Sequence, residues 1–212
     1  PHSPRGLVDF SGEGNNAGGE LSLKGNFAAR EIDLPYVWFH AKGMTSRGSY
    51  KVTKRKLEVP DFEAQALGGV LTGRVTMEFD GAKFRVESRA QGIQLSSLLA
   101  AVDNENFPVT TLHWNASVGV DSVTTWDHEF KHFASRGVTR WTPPADLQQG
   151  EIPVTAQMEF DYSLDDGATL LRRSEIVTPT SRLELDGRLA AKDSDLAINL
   201  EVGDLLQWDD FI

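Results

Sequence analysis

Cysteine is absent from the 212 residues, which removes disulfides, thiolate nucleophiles, cysteine-ligated zinc and iron–sulfur centres in one step. It does not choose a compartment, because an exported chain need not carry a disulfide. No run approaches the roughly 18 apolar residues that read as a membrane span, and the first seven residues lack the basic and apolar segments of a signal peptide. Positive charge is also short. Lys and Arg total 21 against 31 Asp and Glu, a formal net charge of -10, which argues against a nucleic-acid phosphate backbone as the main partner. The chain has no initiator Met and opens in what reads as mature sequence. The expectation is a processed form or an excised piece of something longer, with a membrane anchor in the missing part.

Catalytic and cofactor motifs are missing too. Neither G-x-G-x-x-G nor G-x-x-x-x-G-K-[ST] occurs, and there is no G-x-S-x-G elbow. The carboxylate pairs Asp165-Asp166 and Asp209-Asp210 stand in Gly-rich or terminal turns, where Asp is favoured by local hydrogen bonding. The densest titratable cluster is Asp127-His128-Glu129 with Lys131-His132. Two histidines at i and i+4 would converge on a metal in a helix, but the flanking Val123-Thr124-Thr125-Trp126 and Phe133 read equally well as a strand. There the two rings would stand about 13 Å apart and could not share an ion. His2, His40 and His113 are scattered. No enzyme, no cofactor and no metal is expected.

What the chain does have is alternation. With 40% hydrophobic and 25% charged residues it belongs among folded globular chains. Leu71, Gly73, Val75, Met77 and Phe79 fall on one phase, and Val70, Thr72, Arg74, Thr76 and Glu78 on the other. Asp80-Gly81 then marks a hairpin turn. Further strands are expected over 112–120, 154–162, 181–189 and 196–202. Helical signals are one or two turns at 96–102 and 204–208, each opened by a capping Ser or Asp. The fold class is mainly β, with a mostly antiparallel sheet.

At an offset of 114, residues 57–99 echo residues 170–208: Leu57/Leu171, Phe62/Ile176, Leu71/Leu185, Gly73/Gly187, Val75/Leu189, Phe84/Ile198 and Val86/Leu200 coincide. A short gap brings Gly92-Ile93-Gln94-Leu95 over Gly203-Asp204-Leu205-Leu206. Two repeat-like units, 57–99 and 170–208, are therefore expected within one repetitive β-rich unit spanning 1–212, joined by a less typical segment 103–150. Chance echoes between β-rich stretches with Gly turns are the alternative. Thr142-Pro143-Pro144-Ala145 reads as a turn or hinge.

The run Thr178-Pro179-Thr180-Ser181-Arg182-Leu183-Glu184-Leu185-Asp186-Gly187-Arg188-Leu189, followed by Asp195-Leu196-Ala197-Ile198-Asn199-Leu200 and Gly203-Asp204-Leu205, resembles the repeating texture of the AsmA-like and TamB-like proteins of diderm bacteria. The stretch from Ala66 to Val75 and the turn Gly92-Ile93-Gln94-Leu95 resemble it again. The resemblance implies a curved, elongated β-taco-like sheet with an apolar inner groove. It also implies a periplasmic setting in an inner-membrane-anchored protein, and phospholipid passing between inner and outer membranes. TamB-like members work with an outer-membrane barrel partner. The family carries no catalytic motif.

On that expectation the groove is lined by one phase of each strand: Leu71, Val75, Met77, Phe79, Phe84, Val86, Leu183, Leu185, Leu189, Leu196, Ile198 and Leu200. The same residues would fill the core of a closed sandwich, and their phase does not separate the two. Lys51, Lys54, Arg55 and Lys56 are candidates for anionic headgroup contact, or simply for a solvated edge. Two other functions remain open: a structural or protein-interaction module of outer-membrane assembly, and a β-sandwich carbohydrate-binding module with Trp38, Trp114, Trp126 and Trp141 as stacking platforms.

Overall fold

The computed structural model describes residues 5–18, 20–36, 39–102, 113–128 and 131–203. Alternation becomes strands: β1 Arg5–Ala17, β2 Glu20–Tyr36, β3 Phe39–Thr53, β4 Lys56–Ala66, β5 Gly69–Glu78, β6 Lys83–Gln94, β7 Trp114–Asn115, β8 Ser117–Asp127, β9 Lys131–Thr142, β10 Ile152–Pro153, β11 Thr155–Ser163, β12 Ala168–Val177, β13 Ser181–Ala190 and β14 Asp195–Val202. One helix, α1 Leu95–Ala101, follows β6. Twelve strands form one antiparallel sheet in the order β1-β2-β3-β4-β5-β6-β8-β9-β11-β12-β13-β14, open at both ends. β7 and β10 make a separate parallel pair.

Tight turns explain why sequential strands are neighbours. At β4–β5, Leu67 (φ 51) and Gly68 (φ 81) are both left-handed, the geometry whose twist matches that of a hairpin. At β5–β6 the expected Asp80-Gly81 turn forms. Among the described residues only α1 and the short β7/β10 pair lie against this ladder. The chain exposes 13837 Å², where a compact monomer of its 23.4 kDa would expose about 9,700 Å².

Buried apolar side chains gather at one end. Helix α1 and the β7/β10 pair fold over the end of the sheet at which β6 finishes. Leu95, Val118 and Val154 are almost completely buried there, with Ile93 and Ala116. Leu67, Leu98, Leu99, Trp114, Trp141 and Ile176 pack around them. Backbone bonds fix the cover. Leu95 N–H donates to the Ala116 carbonyl (3.0 Å), Ile152 N–H to His113 (2.8 Å) and Val154 N–H to Asn115 (3.1 Å). Glu151 accepts from Asn115 Nδ2 (2.7 Å) and from Gln148 N–H (2.8 Å), and those two donors hold its carboxyl below the usual range.

A single cross-strand row runs through all twelve strands: Phe10, Phe27, Gly48, Phe62, Gly73, Ser88, Ser122, Gly137, Phe160, Leu171, Gly187 and Leu196. Half of these residues are Gly or Ser, for a steric reason. A Cβ at Gly73 would lie 2.2 Å from the Glu87 carbonyl oxygen, and one at Gly137 2.3 Å from that of Asp121; a phenylalanine ring from the adjacent strand, Phe62 or Phe160, already stands 3.0 Å from each. Aromatic cover over a strand glycine restores the packing that the missing side chain forgoes. Four register shifts flank the row, at Gly48/Lys51, Val59/Phe62, Gln157/Glu159 and Leu171/Ser174, and such bulges bend and twist the strands that carry them.

Three substitutions test these features. Gly137→Val should lower stability by about 1–3 kcal/mol or more through overpacking, whereas Ser122→Ala, losing only the 3.0 Å bond to Ser88, should cost about 1 kcal/mol. Leu95→Ala should cost about 2–5 kcal/mol, the range for emptying a well-packed apolar site. Urea unfolding midpoints read all three.

Candidate apolar ligand surface

Directly paired residues of an antiparallel sheet point to the same face, so the register sorts every strand residue. One face carries Leu23 and Phe27 of β2, Val52 of β3, Leu57 and Val59 of β4, Leu71, Val75 and Met77 of β5, and Phe84 and Val86 of β6. Val118, Val120 and Trp126 of β8, Met158 and Phe160 of β11, and Leu171 and Ile176 of β12 continue it. Leu183, Leu185 and Leu189 of β13 and Leu196, Ile198 and Leu200 of β14 complete it. The register thus brings all the residues expected to line a groove onto one face, except Phe79. That residue lies in the β5–β6 turn, its N–H bonded to the Arg55 carbonyl at 2.9 Å.

At one end of this face α1 and the β7/β10 pair add a second layer. Toward the other end an aromatic chain crosses four strands. Phe84 stacks on Trp126 with centroids 4.8 Å apart and planes 7° from parallel, Trp126 lies 6.3 Å from Phe133, and Phe133 meets Tyr162 edge-on at 6.0 Å. Three of those rings were not singled out as groove residues. The alternation of Val118, Val120, Ser122, Thr124 and Trp126 was the signal available. The segment 103–150, expected to be less typical, supplies β8 and β9, which sit in mid-sheet.

Opposite lies a charged face laced by ion pairs: Arg47–Glu63 (2.7 Å), Arg74–Glu87 (3.1 Å), Arg89–Asp121 (2.6 Å), Arg140–Asp121 (3.3 Å) and Arg182–Glu175 (2.7 Å). The hydrogen bond from Arg89 is the main reason the Asp121 carboxyl is held below its usual range, with Arg140 adding to it. These groups are solvated, so each pair adds little to stability. A cleft of about 730 Å³ runs along this face over Gly73, Ser88, Ser122 and Gly137. Arg74, Glu87, Arg89 and Asp121 of its lining are taken up in the pairs just named, and Arg136, Glu159, Asp161 and Arg172 line it as well.

The basic cluster is divided. Lys51 stands on the charged face opposite Glu58, and Lys56 Nζ bonds Glu58 at 2.6 Å, which is the largest influence holding that carboxyl low. Lys54 and Arg55 project from the β3–β4 turn, where Thr53 Oγ1 accepts from both Arg55 N–H and Lys56 N–H. Asp80, Asp165 and Asp166 lie in turns at the same end of the sheet, so that end is not uniformly basic.

The described tryptophans stand apart: Trp114 and Trp141 pack against the buried cluster and Trp126 belongs to the aromatic chain. Trp38 lies outside the described residues, as do His2, Glu129 and residues 204–212 with the turn expected there. His128 and His132 share neither a helix nor a strand: His128 follows the end of β8 and His132 is the second residue of β9. His132, with φ 49, pairs through Nδ1 with Asp165 at 2.7 Å. Among the described residues no group of three or more His, Asp or Glu is placed to hold a metal ion, and no helix is long and apolar enough to cross a membrane.

The strands of the two echoing units are β4–β6 and β12–β14. All seven coincident pairs lie on the apolar face. Only the β5 and β13 members stand at the same height, with Gly73 and Gly187 both in the central row. Comparison with protein-family models, curated proteins and solved structures found no match.

The His132 contact has a pH signature. Asp165, through its hydrogen bond first and its charge second, raises the imidazole pKa, Asp127 adds to this and Lys131 opposes it. A raised folded pKa gives stability that is complete below the unfolded value of about 6.5 and is lost as pH rises through the folded value. An NMR titration should place His132 above an ordinary histidine, and Asp165→Asn should return it toward the ordinary value.

Proposed function

We propose that this chain is a non-enzymatic segment of a bacterial envelope protein that binds or conducts phospholipid acyl chains along its apolar face. The observation that carries the reading is an apolar face that runs from strand to strand of the main sheet, covered among the described residues only at one end by α1 and the β7/β10 pair, with a charged face behind it. At roughly 4.8 Å per strand the central row extends about 50 Å. A bilayer's hydrocarbon core of about 30 Å holds two tails end to end, so the row has room for about three tails in line.

Bulges beside the central row would curve the sheet about it, with α1 and the β7/β10 pair as one bank of a groove. Each methylene fully withdrawn from water there is worth about 0.8 kcal/mol. Phe84, Trp126, Phe133 and Tyr162 line the uncovered side, and Lys54 and Arg55 at the strand ends meet the anionic headgroup. The periplasmic setting, the inner-membrane anchor elsewhere in a longer protein and the outer-membrane barrel partner rest on the likeness to AsmA-like and TamB-like sequences.

Native mass spectrometry of the chain, purified without detergent after exposure to phosphatidylethanolamine and phosphatidylglycerol vesicles, tests the reading. Bound phospholipid near stoichiometric levels is expected. Val75→Glu or Leu185→Glu should reduce it at least tenfold with the circular dichroism spectrum kept, while Thr76→Glu on the charged face should leave it unchanged. No bound lipid at saturation, or equal loss with Thr76→Glu, overturns the reading in favour of a protein-interaction module.

A further inference from the structure

Strands β1 and β14 are the outer strands of the sheet, and among the described residues no strand pairs with their outer edges. Neither contains Pro or Lys, residues that often block edge pairing, although both carry other charges and β1 has a register shift at Arg5/Leu7 against β2. They also carry the most exposed large apolar side chains, Phe10 at 69% and Ile198 at 62%. Inside the sheet, residues of the same rows such as Phe27 and Leu185 have a strand on each side and are half-buried.

We infer that the two edges are made for each other, β14 of one copy adding to β1 of the next. Twelve alternating strands leave β14 running opposite to β1, so a second copy laid beside the first continues the antiparallel ladder. Setting the central row in line puts Leu196 opposite Phe10. Ile198 then faces Val8 on the apolar side. On the charged side Glu201 faces Arg5, Asp195 faces Ser11 and Ala197 faces Asp9, so an opposite charge meets Arg5 and no like charges are opposed. Seven residues of each strand overlap in this register. Pairing two β14 strands about the same row overlaps only their first three residues. Pairing two β1 strands sets Glu13 against Leu7 and leaves both β14 edges bare. The contact is head-to-tail, so it propagates into a chain of copies unless one edge is blocked.

Sedimentation velocity of the 212-residue chain, with no lipid present, tests this independently of the lipid reading. Species at successive multiples of the monomer mass should grow with concentration. Val8→Lys and Ile198→Lys should each hold the protein monomeric where the parent associates. An equal mixture of the two should form a dimer and nothing larger, since one supplies an intact β14 and the other an intact β1. Arg5→Glu should weaken association severalfold, and adding Glu201→Arg to the same chain should restore it. A parent that stays monomeric at every concentration overturns the inference. So does a dimer that is lost with Val8→Lys and persists with Ile198→Lys alone, which is the behaviour of a symmetric β1–β1 contact.

Discussion

The rest of the structure depends on how closely neighbouring backbones approach along the central row. At Gly73 and Gly137 a carbonyl oxygen of the next strand occupies the space of a Cβ, so larger residues are excluded and the phenylalanines beside them supply the missing contact. The hydroxyls of Ser88 and Ser122 satisfy one another there, avoiding the penalty of an unpaired polar atom on an apolar surface. With the row fixed, a shift of one residue in any strand would exchange its apolar and charged sides. Register, face and the position of the bulges are thus one constraint seen three ways.

That constraint gives the molecule two unlike surfaces. The charged one is laced by arginine–carboxylate pairs from strand to strand. Among the described residues the apolar one is covered where α1 and the β7/β10 pair lie on it. Leu95, Val118 and Val154 form an ordinary close-packed core, and beyond them the same rows continue as half-buried side chains. Their burial comes from flanking strands, which is why exposure rises toward β1 and β14. A ligand with hydrocarbon tails and a neighbouring sheet edge act on different parts of this deficit, the first on the open face and the second on the outermost strands.

Much of this was legible in the chain. The phase of β5, β6, β13 and β14 follows from alternation alone, the hairpin at Asp80-Gly81 from its turn residues, and α1 begins one residue before the expected turn. The limits are physical. Phe79 continues the phase of Met77, but the strand ends at Glu78 because the turn has already begun. His128 and His132 fit helix and strand spacing equally, and a hairpin separates them instead. Trp114 and Trp141 look like exposed platforms until the long-range packing of α1 is known. The central row joins residues as distant as Phe10 and Leu196, so its small residues acquire meaning only once every register is set. Nothing local marks a strand as outermost.

Each strand of the main sheet pairs with the one before it and the one after it in the chain. In such a meander the contacts are near in sequence, the ordering cost of each hairpin is small, and stability is close to a sum of neighbour terms. A chain emerging from a ribosome or a translocation pore can therefore acquire structure hairpin by hairpin, in the order it is delivered, without waiting for its last strand. Mechanical load applied at the two ends would be met by the same logic in reverse, one hairpin yielding at a time, with the α1 core as the region that resists longest.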